Sequence, residues 1–309
     1  MTIPSTSVGI DVSKAVLDVF SARHGATRLA NETQAIAAFV ASLDPDVFVV
    51  FEATGSYDAR LRRALEAAGI RFARVNPEHA RAFARATGRR AKTDAVDARM
   101  LADLGTRLAP PATEAVDPAR ADLTRLDRRR DQLVAMRVAE RVRLADCDDE
   151  VCRADLEDHL AHLDRAIAAI DARIDAAVKA DADLARLARR LRSVPGVGPV
   201  VAARLLAALP ELDRRSPKTI ASLAGLAPHA DDSGGRHGRR VVSGGRRRVR
   251  EALYMAALAA ARGKTRLAGF YRSLRDAGKP AKLALLALAR KLVVILNAVV
   301  RDDSDFRIA

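Results

Sequence analysis

Tryptophan is absent from this 309-residue chain and aromatic residues make up only 4% of it, too few for base stacking to be its main grip on nucleic acid. Cysteine occurs twice, as Cys147 and Cys152, with no histidine at metal-ligand spacing beside them. That excludes a disulfide scaffold or a zinc module and leaves a reduced, cytoplasmic protein with two incidental thiols. The first residues hold no basic segment followed by an apolar run, so no signal peptide is expected. The greasiest stretch, residues 283–300, is interrupted midway by Arg290 and Lys291. It reads as a buried amphipathic helix, with no membrane partner implied. Acids are scarce in the C-terminal third: residues 195–301 hold 21 Lys/Arg against 6 Asp/Glu. That local excess exceeds the +14 of the whole chain, so the remainder is close to neutral and a polyanion is the partner this third invites.

What is present is enough to fold. With 49% hydrophobic and 30% charged residues the chain can bury real cores in two or three domains. Residues 8–14 and 17–20 have the pattern of a β-hairpin, with a third strand over 27–31 and a helix over 34–43. Residues 47–51, Val-Phe-Val-Val-Phe, are continuously apolar and suit a strand buried on both faces. A helix over 57–68, a strand over 70–75 and helices through 104 complete an α/β layout, a sheet covered by helices.

Four acids stand out in this layout. Asp94 and Asp97 are three apart in a helical segment, so both carboxylates leave one face. Their bland role is a solvated helix start capped by Thr93. Asp11 lies two residues after a glycine in the first strand, and Glu52 ends the apolar run, at the strand end where open sheets place ligands. A glutamate attached to five apolar residues costs several kcal/mol if buried unpaired. If these strands are neighbours, the four carboxylates can hold two divalent ions about 4 Å apart, as in phosphodiester chemistry.

The stretches Gly9-Ile10-Asp11, Glu52-Ala53-Thr54-Gly55-Ser56-Tyr57, Val75-Asn76-Pro77 and Lys92-Thr93-Asp94-Ala95-Val96-Asp97-Ala98-Arg99 resemble the N-terminal domain of the DEDD insertion-sequence transposases. This is the "one-ten" family, related to Piv-type DNA invertases. The resemblance implies a RuvC-like, RNase H-type fold over 1–109, with Asp11, Glu52, Asp94 and Asp97 as ligands of Mg²⁺ or Mn²⁺.

From Ala119 through Val194 there is neither Gly nor Pro, which favours long helices. Leu156, Leu160, Leu163, Ile167, Ile170 and Ile174 form a heptad seam, and Leu123, Leu126, Leu133 and Met136 a shorter one. With its tip at 146–150, the region 119–192 is expected to be an antiparallel coiled-coil hairpin used for self-association, or else part of a compact bundle. Pro195-Gly196-Val197-Gly198-Pro199 then opens a helix. Gly196 and Gly198 suit a helix-hairpin-helix element that grips DNA backbone, although a plain turn also uses glycine. Arg236, Arg239, Arg240, Arg246, Arg247, Arg248 and Arg250 occur with no acid among them and five glycines around them. That composition suits a pliable loop that neutralises phosphates.

Asp231-Asp232-Ser233-Gly234 is ordinary turn composition, but Ser233 precedes the arginines that would hold a phosphate. Residues 225–235, with Leu253-Tyr254-Met255 downstream, resemble the family's C-terminal transposase domain. There the matching serine forms a covalent link to DNA, so the resemblance assigns that role to Ser233; Ser243 is the fallback. Two closing helices, 250–262 and 281–300, complete a mainly helical domain over 193–301, and 302–309 is expected to be a loose acidic tail.

Together these readings describe a cytoplasmic, nucleoid-associated DNA transposase or recombinase acting on donor and target duplexes. The resemblance further implies a dimer or tetramer and a guide, the bridge RNA. The competing readings are a RuvC-type nuclease or junction resolvase that leaves Ser233 structural, and a non-catalytic nucleic-acid binder.

Overall fold

The computed structural model describes residues 7–53, 55, 57–88, 94–114, 117–229, 241–242 and 244–307; the side chains of residues 94–96, 229 and 241 are not described. The chain divides into two compact units, Met1–Ala115 and Val116–Ala309.

The first unit is a five-stranded mixed sheet in the order β3-β2-β1-β4-β5. Strands β1 (Ser7–Val12), β2 (Val16–Ser21) and β3 (Gly25–Ala30) pair antiparallel, while β4 (Phe48–Glu52) and β5 (Arg71–Val75) continue parallel to β1. Helices α1 (Thr33–Ala41) and α2 (Ala59–Ala67) cover one face, where Ile36 and Leu61 meet Ile10, Val49 and Phe51. Helices α3 (Pro77–Ala86) and α4 (Asp94–Leu108) cover the other, where Met100, Leu101 and Leu104 meet Phe48 and Val50. Residues 48–51 of β4 are thus buried from both sides, which is why that segment is apolar without alternation.

The second unit is helical. Helices α5 (Pro118–Ala145) and α6 (Glu150–Ala180) run antiparallel, because their ion pairs step in opposite directions: Arg130–Asp171, Arg137–Asp164, His159–Glu140. The connecting turn ends at Asp149, whose carboxylate accepts from Cys152 N at 2.8 Å and caps α6. Helices α7 (Ala182–Arg192), α8 (Pro199–Ala208), α9 (Pro217–Leu223), α10 (Arg247–Ala261), α11 (Arg266–Asp276) and α12 (Ala281–Arg301) follow, with a two-stranded pairing of β6 (Pro228–His229) and β7 (Val241–Val242). Among the described residues α12 alone has the length and hydropathy to cross a bilayer. Its fully buried Leu288, Leu292, Val293 and Leu296 make it the central core helix of the unit.

Three expectations are corrected here. Met136 is 46% exposed, so it is not in the α5 seam. The positions facing α6 and the core carry Asp127 and Arg130 between Leu123 and Leu133, and Arg137 and Glu140 beyond them, and ion pairs take the place of apolar contacts. A third closing helix, α11, lies between the two that were expected. The acidic tail is not loose: Arg186 donates to Asp303 at 2.7 Å, Arg190 to Asp305 at 2.8 Å, and Phe306 N to Ser193 Oγ at 2.8 Å. Arginines of α7 find negative partners in that tail.

Candidate active site

In β1, side chains alternate, so Ser7, Gly9 and Asp11 share one face. Ile10 stands opposite Phe51 in the parallel pairing of β1 with β4. The next residue on each strand, Asp11 and Glu52, therefore stand side by side on the face opposite those two apolar residues. The strand spacing there is about 4.8 Å. That is the α4 face. A Cβ on Gly9 would fall 2.0 Å from Ala98 O and 2.4 Å from Ala102 N, while one on Gly105 would meet Val50 Cγ2 at 2.7 Å. Two contacts fix a direction: α4 runs antiparallel to β1, with Gly105 over the strand's start and Ala98 over its middle. Asp94 opens the helix, so its N-terminal turn is carried toward the edge that holds Asp11 and Glu52.

Asp11, Glu52 and Asp97 are all half-buried, accessible to water yet set in a structured edge. The backbone around Glu52 is tied down. Ala53 N donates to Val75 O at 3.0 Å, and the turn that follows is held where Asn31 Nδ2 donates to Tyr57 O at 3.0 Å. Arg74 Nε donates to the buried Asp58 at 2.6 Å. The oxygen-only donor set suits Mg²⁺ or Mn²⁺, not metals that prefer thiolate or imidazole. Among the described residues no three His, Cys, Asp or Glu side chains form a cation-binding group; the side chain of Asp94 lies outside them.

Sequence reasoning missed Asp18. It pairs directly across from Asp11 in the β1–β2 ladder, is buried, and receives both forks of Arg28, Nε at 2.8 Å and Nη2 at 3.1 Å. The signal was there: a charge inside an alternating apolar strand, the argument already applied to Glu52. Its negative charge is neutralised within the sheet, which keeps it from adding repulsion to Asp11 beside it.

In the second unit, Gly196 has φ +90, and a Cβ there would lie 2.3 Å from Ala256 O, so both backbone and packing require glycine. Gly198 is the N-cap of α8 and a Cβ there would meet nothing within 4 Å. The carbonyl end of α8 is closed by cations, as its dipole favours: Arg120 donates to Leu206 O at 2.7 Å and Arg246 to Ala208 O at 2.9 Å.

The expected pliable arginine loop ends earlier than its composition suggested. Arg246 is the N-cap of α10 and residues from Arg247 onward are helical. Cations at a helix N-terminus oppose its positive end, and carboxylates of the α8–α9 turn and of α5 neutralise Arg246 and Arg248. Arg246 forks onto Glu211 at 2.5 and 2.6 Å. Burial alone would raise the Glu211 carboxyl's pKa, yet Arg246 holds it below the ordinary range. Arg248 donates to Asp127 at 2.8 Å and to Asp131 at 2.9 Å, and Arg204 bonds the same two acids. Arg250 donates to Gly244 O at 2.8 Å. Arg246, Arg248 and Arg250 thus hold the fold together first; Arg247 is exposed and pairs with Glu251 one turn on. Ser233, Ser243, Arg236, Arg239 and Arg240 lie outside the described residues.

Asp127 is 2% exposed and serves two arginines. Asp127→Ala leaves Arg204 and Arg248 to share Asp131 alone, so unfolding in urea should show a loss of about 1–3 kcal/mol. A change under 1 kcal/mol, roughly the worth of a surface pair, would mean the cluster is solvated.

Residues 8–152 match the DEDD transposase of IS110 type, and residues 188–272 match the family described as transposase IS116/IS110/IS902. The pilin gene-inverting protein of Moraxella bovis is 27% identical over 314 residues, covering 97% of each chain, and that of Moraxella lacunata is equally similar. The insertion element IS110 43.6 kDa protein of Streptomyces coelicolor is 35% identical over 140 residues, 45% of this chain and 34% of that one. The two family matches follow one another along the chain, and the chain belongs to the IS110-type DEDD transposases, enzymes of DNA recombination.

Proposed function

We propose that the chain cuts and rejoins DNA for an insertion sequence through a serine–phosphodiester intermediate, beside an acidic site for Mg²⁺ or Mn²⁺. The observation that supports this most is the placement of Asp11 next to Glu52 under the N-terminal side of α4. Neighbouring half-buried carboxylates offer the oxygen donors that a hard divalent cation prefers. The first domain, 1–109, is then RuvC-like, and Asp11, Glu52, Asp94 and Asp97 would hold the ion. When bound, the ion would neutralise charge on the phosphate and favour departure of the leaving oxygen. Ser233 supplies the nucleophile. Its Oγ bonds to phosphorus, its proton passes to a carboxylate or water, and the bond from phosphorus to the leaving strand's oxygen breaks. The phosphoserine ester conserves the bond, so the reverse attack by a new strand end rejoins DNA without outside energy.

Arg236, Arg239, Arg240 and Arg247 are assigned to phosphates. In a helix-hairpin-helix role, Gly198 and the first N–H groups of α8 face the backbone, while Gly196 lets the turn close. The hairpin over 119–192 acts as a coiled coil joining protomers into a dimer or tetramer, a reading supported by exposed Met136, Val138 and Val142 on its outer turns. The transposase domain spans 193–301. A bridge RNA is the remaining partner, and the enzyme works in the cytoplasm on the nucleoid.

Trapping on nicked suicide substrates tests the mechanism. Wild type is expected to give a Mg²⁺-dependent covalent protein–DNA adduct that Ser233→Ala abolishes. Mg²⁺-dependent cleavage without an adduct would replace this reading with a RuvC-type nuclease or junction resolvase. Binding with neither would leave a non-catalytic binder.

A further inference from the structure

The positive charge of the second unit has a second concentration, on α11 and its flanks. Between Arg262 and Lys282 there are seven Lys/Arg and one acid, Asp276. The contrast with residues 246–250 is in their partners. Among the described residues no carboxylate pairs with Arg262, Lys264, Arg266, Arg272, Lys279 or Lys282, and Arg275 donates only to Lys279 O at 2.7 Å. A cluster of seven cations around a single acid repels itself and is stabilised by an external polyanion.

Gly269 sharpens the point. It lies within α11, four residues from the N-cap Thr265, where glycine weakens a helix relative to alanine. Packing does not require it, because a Cβ there would meet nothing within 4 Å and its φ is not left-handed. At 100° per residue it sits at the centre of the face opposite the buried Leu267, with Arg266 and Arg272 three residues to either side. That face therefore has one bare backbone position between two arginines, with Ser273 and Asp276 further along it.

We infer that α11 is a second DNA-contacting element that presents the Gly269 face to the major groove of a B-form duplex. Arg266 and Arg272 reach the phosphate chains on either side. A B-form major groove about 12 Å wide admits a helix, whereas the deep, narrow major groove of an A-form RNA duplex does not. Absence of a side chain at position 269 lets the helix axis approach more closely. This rests on DNA being the enzyme's substrate but not on Ser233 or the acidic site.

The test uses the full chain, with fluorescence anisotropy on a DNA duplex and an RNA duplex of matching sequence across a salt series. Arg266→Ala combined with Arg272→Ala should lower the salt slope on DNA by roughly two and weaken binding about tenfold or more. Gly269→Leu should weaken DNA binding about tenfold as well, while raising the melting temperature by about 2–4 °C through the helix preference of leucine. A stabilised variant that binds worse separates contact from folding. Unaltered DNA affinity and salt slope in both variants, or equal losses on the RNA duplex, would overturn the inference. Variants that keep forming the covalent adduct but show these losses leave both readings standing. A chain that forms no adduct yet shows the same losses removes the serine mechanism alone.

Discussion

Asp11→Asn or Glu52→Gln should lower DNA strand cleavage by about 10³-fold or more, equivalent to at least 4 kcal/mol of barrier, while duplex binding stays within a few-fold of wild type. The two effects separate because of where the residues lie. Asp11 and Glu52 end neighbouring strands of the first unit, whereas the large cation excess belongs to residues 195–301. Both substitutions are nearly isosteric, so the sheet should tolerate them; each removes one negative charge from a site built of carboxylate oxygen. Asp18→Asn is the control. Its charge is already matched by Arg28, so it should reduce stability through the stranded guanidinium yet leave far more cleavage than Asp11→Asn. Equal losses at positions 11 and 18 would indicate a folding effect, and unaltered cleavage in Asp11→Asn would refute the metal assignment.

Gly9→Ala, a single methyl group, should be among the most damaging substitutions in the first unit. The added Cβ would sit 2.0 Å from Ala98 O and 2.4 Å from Ala102 N. Both are backbone atoms of α4, so no side chain can rotate away and the helix itself must shift. Overpacking of ordinary cores costs about 1–3 kcal/mol; here the upper end or beyond is expected, seen as a drop in melting temperature of about 10 °C or more. Because α4 carries Asp94 and Asp97, cleavage should fall further than the folded fraction. Gly105→Ala provides the comparison. Its Cβ would first meet the side chains of Val50 and Ser7 at 2.7 and 2.8 Å, which can adjust, so its effect should be smaller. If the two substitutions behave alike, the close crossing at Gly9 is not what seats the helix.

Much of the first unit was legible because its residues report their surroundings directly. Five consecutive apolar residues can be accommodated only where both faces are covered, and the acid at the end of that run marks the strand edge. Asp18 was passed over because its neutralising partner, Arg28, is set by strand pairing and not by spacing along the chain. The same limit explains the second unit. Asp127 and Asp131 look like surface charges on a long helix, yet they meet Arg204 and Arg248 from distant parts of the sequence. An apolar-only reading of the α5 seam therefore slipped to Met136. The arginines at 246–250 resembled a flexible loop because composition does not reveal Glu211 and Asp131 waiting for them. Helix α11 was not among the expected closing helices, and Gly269, a residue that weakens helices, sits inside it.

The claim on which the rest depends is that Asp11, Glu52, Asp94 and Asp97 gather around a divalent ion. Electron paramagnetic resonance titration of Mn²⁺ into the purified chain measures this without requiring DNA, RNA or turnover. The account predicts at least one tightly held Mn²⁺ per wild-type chain, displaced by excess Mg²⁺ and lost in Asp11→Asn and in Glu52→Gln. Equal Mn²⁺ binding by wild type and both variants would contradict it.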